Sequence, residues 1–112
     1  MDYQQKTVDN VLVVNINLPE ASLNQSEDFK KYLYDVTTET SPKLVLDMEQ
    51  IKYMDSSFIG ALVVGLKNVL SKGGEMALIN INADVMALFE LTRLDKVFKI
   101  YNNLDEAILA LK

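Results

Sequence analysis

A chain of 112 residues with 49% hydrophobic and 24% charged residues has the makeup of one globular domain, large enough to bury roughly two-thirds of the surface its unfolded form exposes. Its formal net charge of -5 provides no basic field for phosphate backbones or anionic lipid, which sets nucleic acid and membrane surfaces aside as partners. Cysteine and histidine are both absent, so disulfides, thiol chemistry, the usual metal ligands and the commonest general base are missing, and most enzyme classes go with them.

The first residues, "MDYQQKTVDN", lack a charged-then-apolar leader pattern, and the longest apolar run, Phe58 to Leu66, is about half of the ~20 residues a spanning helix needs. The expectation is an acidic, cytoplasmic, monomeric protein. Two β-like segments, Tyr3 to Thr7 and Val11 to Asn17, flank Asp9-Asn10, a pair suited to a tight hairpin turn. After Pro19, Asn24 or Ser26 is placed to cap a helix whose Phe29, Leu33 and Val36 recur at helical spacing, and which ends before Pro42.

Residues 43 to 48, "KLVLDM", form a compact apolar run expected of a strand buried on both faces. A loop, "EQIKYMD", leads to a helix from about Ser57 to Ser71 with Ile59, Leu62, Val63, Leu66 and Leu70 facing the core, closed by Gly73-Gly74. "EMALIN" reads as a second buried strand, and "DVMALFELTRL" as a short helix capped by Asp84 with Val85, Leu88 and Phe89 inward. "KVFKIY" reads as an edge strand and "NLDEAILALK" as a last helix capped near Asn103. This alternation predicts one α/β domain over residues 1–112, with a mixed, largely parallel sheet of about five short strands and about four helices, joined without linkers.

The stretch "YMDSSFIGALVVG" carries the chemistry. Ser56 follows a strand and loop and precedes a helical run, where the first backbone N–H groups of the helix lack intrahelical partners. Its hydroxyl can act as an ordinary cap. The same amides and the positive end of the helix dipole would equally hold a phosphate added to it, which carries about -1.5 to -2 charge near neutral pH.

"YMDSSFIGALV" resembles the Asp-Ser-Ser/Thr-Gly-Leu/Ile-Gly signature of anti-sigma factor antagonists of the STAS domain family. "KLVLDMEQIKYMDSSFIGALV" is similar to that family's strand, loop and helix together, and "ALFELTRLDKVFKIYNNLDEAILAL" to its C-terminal tail, so the likeness runs over essentially the whole chain. The resemblance implies a STAS-like fold and no catalysis by the chain itself. It implies that Ser56 is the phosphoacceptor with Asp55 beside it, that the partner is an anti-sigma factor with serine kinase activity which holds only the unphosphorylated form, and that a serine phosphatase restores that form. The surface expected to meet the partner comprises Asp55, Ser56, Ser57 and Phe58, with Met54 as adaptable contact surface and Asn24 as either contact or cap.

Two positions depart from the family pattern. Phe58 stands where the family has glycine, and its ring either contacts the partner or tucks into the domain's own core at the start of the helix. Arg93 replaces a frequent glycine after "LT" and alters a turn. An interaction module that works without phosphorylation, or a weak nucleotide-binding domain, is the alternative reading.

Other constellations carry less. Asp47, Glu49 and Asp55 lack the loop spacing of a calcium hand, so Asp47 is expected to cap neighbouring amides and Glu49 to be solvated. Ser56 as a hydrolase nucleophile lacks both a G-x-S-x-G frame and a histidine to take its proton. No phosphate-cradling G-x-x-x-x-G-K-[ST] loop is present. No cofactor or metal is expected. Met48, Met54, Met76 and Met86 read mainly as core filler.

Overall fold

The structure, a computed structural model, describes residues 2–111. Strands β1 (Tyr3–Val8) and β2 (Val11–Ile16) form an antiparallel hairpin in full register from Tyr3 opposite Ile16 to Val8 opposite Val11. Its two-residue turn has Asp9 at φ 49° and Asn10 at φ 66°, the pair of positive φ angles that matches the twist of the flanking strands. The remaining elements are β3 (Glu20–Ala21), α1 (Leu23–Val36), β4 (Lys43–Asp47), β5 (Tyr53–Met54), α2 (Ser56–Ser71), β6 (Glu75–Ile79), α3 (Ala83–Leu91), a 3-10 turn (Leu94–Lys96), β7 (Lys99–Tyr101) and α4 (Leu104–Leu111).

The main sheet has the order β1-β2-β4-β6-β7, parallel except for the opening hairpin. Alternation along each strand sorts the core into two layers. Val14, Ile16, Leu44, Leu46, Met76 and Leu78 face α1, α2 and α3; Val13, Val45, Ala77 and Ile79 face α4 through its Ala107, Ile108 and Leu111. The fold expected from the sequence, a mixed and largely parallel sheet with four helices, is therefore present among the described residues.

Helix α2 is the most deeply embedded helix because its apolar residues cover a wide arc. Phe58, Ile59, Ala61, Leu62, Gly65, Leu66 and Val69 are all buried. Leu70, expected inward, is 55% exposed: the stripe that began at Ile59 and Leu62 drifts round the helix and continues through Val69. At its C-terminus the Gly74 N–H donates to the Val69 carbonyl (2.9 Å) and the Gly73 N–H to that of Leu70 (3.0 Å), with Gly73 at φ 75°. This is the paired closure that a glycine in the left-handed region makes possible.

Several boundaries differ from expectation for local reasons. Helix α1 starts two to four residues earlier than Asn24 or Ser26 would set as caps. Ser22 holds the N-cap position, and Gln25 Oε1 accepts from both the Ser22 N–H (3.0 Å) and its hydroxyl (2.7 Å). Ser26 is buried inside the first turn, donating to the Leu23 carbonyl. Asn82, not Asp84, caps α3 by accepting from the Val85 N–H at 2.8 Å. That helix ends at Leu91, since Arg93 adopts a left-handed φ of 62° and opens the 3-10 turn. Asn103 caps α4 as expected, accepting from the Glu106 N–H at 2.9 Å.

Candidate functional site

The loop after β4 does not run freely into α2. Within the stretch expected as loop, Tyr53 and Met54 pair in parallel with Glu20 and Ala21 to form a second, two-stranded sheet. This short ladder carries the two chain segments entering α1 and α2 side by side. The Asp55 N–H donates to the Ala21 carbonyl at 3.0 Å, extending the ladder to the start of α2.

Asp55, not Ser56, is the N-cap of α2. Its Oδ1 accepts from the Phe58 N–H at 3.0 Å, while its Oδ2 accepts from the Leu23 N–H at 2.9 Å. One carboxylate thus satisfies an end-amide on each of two helices, and its negative charge lies between the positive ends of both dipoles. A helix cap is a common local feature; a cap shared between helices 32 positions apart in sequence depends on the whole fold.

Ser56 is the first residue of α2 and is exposed, and Ser57, the second, is half-buried. The first intrahelical bond of α2 runs from the Ile59 N–H to the Asp55 carbonyl, so the amides of Ser56 and Ser57 have no acceptor within the helix. The hydroxyl of Ser56 therefore stands free of the capping duty that the sequence assigned to it. It is displayed beside two outward amides at the positive end of a helix of 16 residues.

The expected contact surface divides between interior and exterior. Phe58 has no exposed surface: its ring stacks on Phe29 of α1 with centroids 4.5 Å apart and planes 23° apart. Phe29 in turn lies 5.8 Å from Tyr3, which stacks on Tyr32 at 4.4 Å. Of the two roles open to Phe58, the interior one is the one it occupies, and it cannot touch a partner directly. Met54, only 3% exposed, is likewise core and not contact surface. Asn24 is exposed in the first turn of α1, on the helix whose leading amide Asp55 holds.

Two residues at this end were not singled out from sequence. Leu23 is 66% exposed and Tyr53 57% exposed, large apolar side chains that flank Asp55 through the shared cap and the short ladder. An exposed leucine opening a helix carries no sequence signal; only the Asp55 contact brings it to the site. Behind the site, Asp47 ends β4 with its Oδ1 accepting from the Glu49 N–H (3.0 Å) and the Asn80 amide (3.2 Å). The carboxylates of Asp47 and Asp55 thus serve separate backbone tasks. Among the described residues no cluster of three or more acidic, histidine or cysteine side chains could hold a metal ion.

A hollow of about 760 Å³ lies away from Ser56, lined by Asn10, Asp35, Thr38, Glu39 and Lys43 at the opposite end of β4. The serine tip is a surface feature outside that hollow. No helix among the described residues is long and apolar enough to cross a membrane.

The sequence profile of the STAS domain matches residues 2–107. The chain belongs to the STAS domain family. A Thermotoga maritima protein assigned as an anti-sigma factor antagonist is 32% identical over 107 residues, covering 95% of this chain and 94% of its relative. The anti-sigma F factor antagonist of Paenibacillus polymyxa is 35% identical over 69 residues, 62% of this chain and 59% of that protein. A crystal structure of a protein assigned as an anti-sigma factor antagonist from Thermotoga maritima superposes with a TM-score of 0.84 at 29% identity, covering 97% of this chain and 93% of that one. Within this STAS domain, the Asp-Ser-Ser stretch that carried the sequence resemblance is the start of α2.

Proposed function

We propose that this STAS protein is an anti-sigma factor antagonist that binds an anti-sigma factor with serine kinase activity while Ser56 is unmodified, and is released when Ser56 is phosphorylated. The observation that carries the reading is the exposed Ser56 hydroxyl at the tip of α2, relieved of capping by Asp55. In the transfer, Ser56 Oγ forms a bond to the γ-phosphorus of ATP, the bond to the β-phosphate oxygen breaks, ADP leaves and the hydroxyl proton passes to a base on the kinase. A serine phosphatase hydrolyses the ester and resets the protein.

The phosphate changes the surface without changing the fold. It places about two negative charges next to the carboxylate of Asp55 and on a tip flanked by the apolar Leu23 and Tyr53. A partner packed there in an acidic or apolar interface meets repulsion and a desolvation cost. Within the domain, the outward amides of Ser56 and Ser57 and the helix dipole accommodate the same charge, so stability is retained. The contact surface comprises Asn24, Asp55, Ser56 and Ser57, joined by Leu23 and Tyr53, with Phe58 and Met54 fixing the helix start from beneath. The site of action is the cytoplasm, and the antagonist works as a monomer without catalytic activity of its own.

Incubation of the purified chain with the recombinant anti-sigma factor kinase of its own organism and ATP, followed by peptide mass spectrometry, tests the assignment. One phosphate on Ser56, lost in Ser56→Ala, is the expected result; a phosphate on Ser57 or elsewhere would overturn it.

A further inference from the structure

Two exposed carboxylates, Asp35 and Glu39, stand where α1 ends, and among the described residues neither forms an ion pair. They border the hollow of about 760 Å³ at the end of β4 away from Ser56, a volume within the range of small-molecule sites. Its shape follows from a mismatch between helix and sheet. Thr7, Leu12 and Leu44 stand in register across β1, β2 and β4 on the face that α1 covers. Over the neighbouring row the hydroxyl of Tyr32 donates to Gln5 Oε1; one turn later α1 stops at Val36, and the chain leaves through Thr38 and Ser41 for β4. The row of Thr7 and Leu12 lies at the helix end, so the half-buried Leu12 and Val36 give the hollow an apolar patch.

The polar rim is one-sided. Thr7, Asn10, Thr38 and Ser41 supply hydroxyl and amide oxygens beside the two carboxylates, and the end of α1 adds the negative pole of its dipole, with no basic residue in the last turn. Lys43 also borders the hollow, but by alternation it shares the face of β4 that Val45 presents to α4, opposite Glu75 of β6, so its charge is directed to the far side of the sheet. The fold itself shows which group this helix end accepts. On its other flank, Lys72 Nζ donates to the Thr37 carbonyl and lies 5.3 Å from the centre of the Tyr34 ring. An ammonium thus covers one side of the helix end, while the side that carries both carboxylates is left to a ligand.

We infer that the hollow binds a small aliphatic diamine. One ammonium is held by Asp35 at the negative pole of α1, the other by Glu39 with the neighbouring hydroxyls, and the hydrocarbon between them lies on Leu12 and Val36. A monoamine leaves one carboxylate unmatched, and a bare metal ion gains nothing from the apolar patch. Exposed ion pairs are individually weak, so the affinity is expected to be on the order of 1 mM or somewhat tighter. The site lies at the opposite end of β4 from Ser56 and does not depend on the reading given above.

Amide chemical shifts of the isotope-labelled chain, titrated separately with diaminobutane, butylamine and magnesium chloride, test the site. The proteins compared are the unaltered chain, Asp35→Asn and Glu39→Gln singly and together, and Glu90→Gln, which removes an exposed charge from α3. Diaminobutane is expected to move the signals of residues 7–12 and 35–41 with saturation on the order of 1 mM, and butylamine and magnesium to bind at least tenfold more weakly. The double variant is expected to lose at least tenfold in diaminobutane affinity, each single variant to lose part of that, and Glu90→Gln to behave as the unaltered chain. Asp35 and Glu39 are exposed, so all variants should melt close to the unaltered chain, and the single variants give the result should the double one melt lower. Absence of shifts, shifts spread over the whole acidic surface, an equal response to magnesium, or full affinity in the carboxylate variants would overturn the assignment, the last three leaving only counterion attraction to a chain of net charge -5.

Discussion

The carboxylate of Asp55 accepts a hydrogen bond from the backbone N–H of Leu23 at 2.9 Å, although 32 positions separate the two residues. Through its other oxygen the same side chain caps α2 at Phe58. The acid of the Asp-Ser-Ser stretch is therefore structural, the joint between the tips of α1 and α2, and this leaves the next residue, Ser56, outside the cap.

Asp55→Ala removes both bonds and leaves two end-amides without partners, which is expected to cost about 2–3 kcal/mol. Asp55→Asn keeps one acceptor but loses the charge between the two dipoles, at a cost of about 1 kcal/mol. Urea unfolding of both variants measures the difference. Equal losses in the two would mean that the acceptor retained by asparagine contributes nothing.

Phe58 occupies a position where the family pattern has glycine, and the ring is part of the core. Truncation to alanine leaves a cavity between α1 and α2 and is expected to destabilise by about 3–5 kcal/mol. In a double-mutant cycle with Phe29→Ala, the stacked pair is expected to show a coupling of about 0.5–1.5 kcal/mol. Chemical denaturation of the four proteins in the cycle checks both figures, and a surface role for Phe58 would appear as a loss near zero.

Arg93 adopts φ 62°, a region that costs an ordinary residue about 1–2 kcal/mol and glycine nearly nothing. Allowing for the extra chain entropy of glycine, Arg93→Gly is expected to raise stability by about 0.5–1 kcal/mol, read as a higher denaturation midpoint with an unchanged slope.

Tyr3 lies between Phe29 and Tyr32, and burial, followed by the charges of Asp2 and Asp28, pushes its phenol up to about 12. Burial raises Tyr32 as well, whose hydroxyl donates to Gln5 Oε1 at 2.5 Å. The folded protein holds the neutral phenol while the unfolded chain ionises near the ordinary value of 10.0. Stability is therefore complete below pH 10 and falls as pH rises from 10 to about 12. Because Tyr3 is half-exposed, the loss is expected to be about 1 kcal/mol and not the full value of the shift. Denaturation midpoints across that range should fall for the native chain and flatten in Tyr3→Phe.

Much of this architecture is legible in the sequence because its signals are local. Asp9-Asn10 marks the hairpin, "KLVLD" and "EMALI" mark strands covered on both faces, and Gly73-Gly74 marks the end of α2. Caps were misplaced where several cap-forming residues stand in a row: Ser22, Asn24 and Ser26 before α1, Asn82 and Asp84 before α3, Asp55 and Ser56 before α2. The choice among them is made by the extended chain leading in, and for α1 and α2 that chain is the β3–β5 ladder, whose two-residue strands are too short to show any periodicity. The contact between Asp55 and Leu23, and with it the exposed apolar pair Leu23 and Tyr53, exists only after long-range folding. Phe58 was legible as a departure from a pattern; its burial needed Phe29 across the α1–α2 contact.

The proposed switch rests on the difference in affinity between the two states of one residue. Calorimetric titration of the anti-sigma factor kinase with the chain before and after phosphorylation of Ser56 should show binding on the order of a hundredfold weaker in the modified form, about 3 kcal/mol, with the melting temperature of the antagonist nearly unchanged. Equal affinity of the two forms, or a loss that accompanies unfolding of the modified chain, would contradict it.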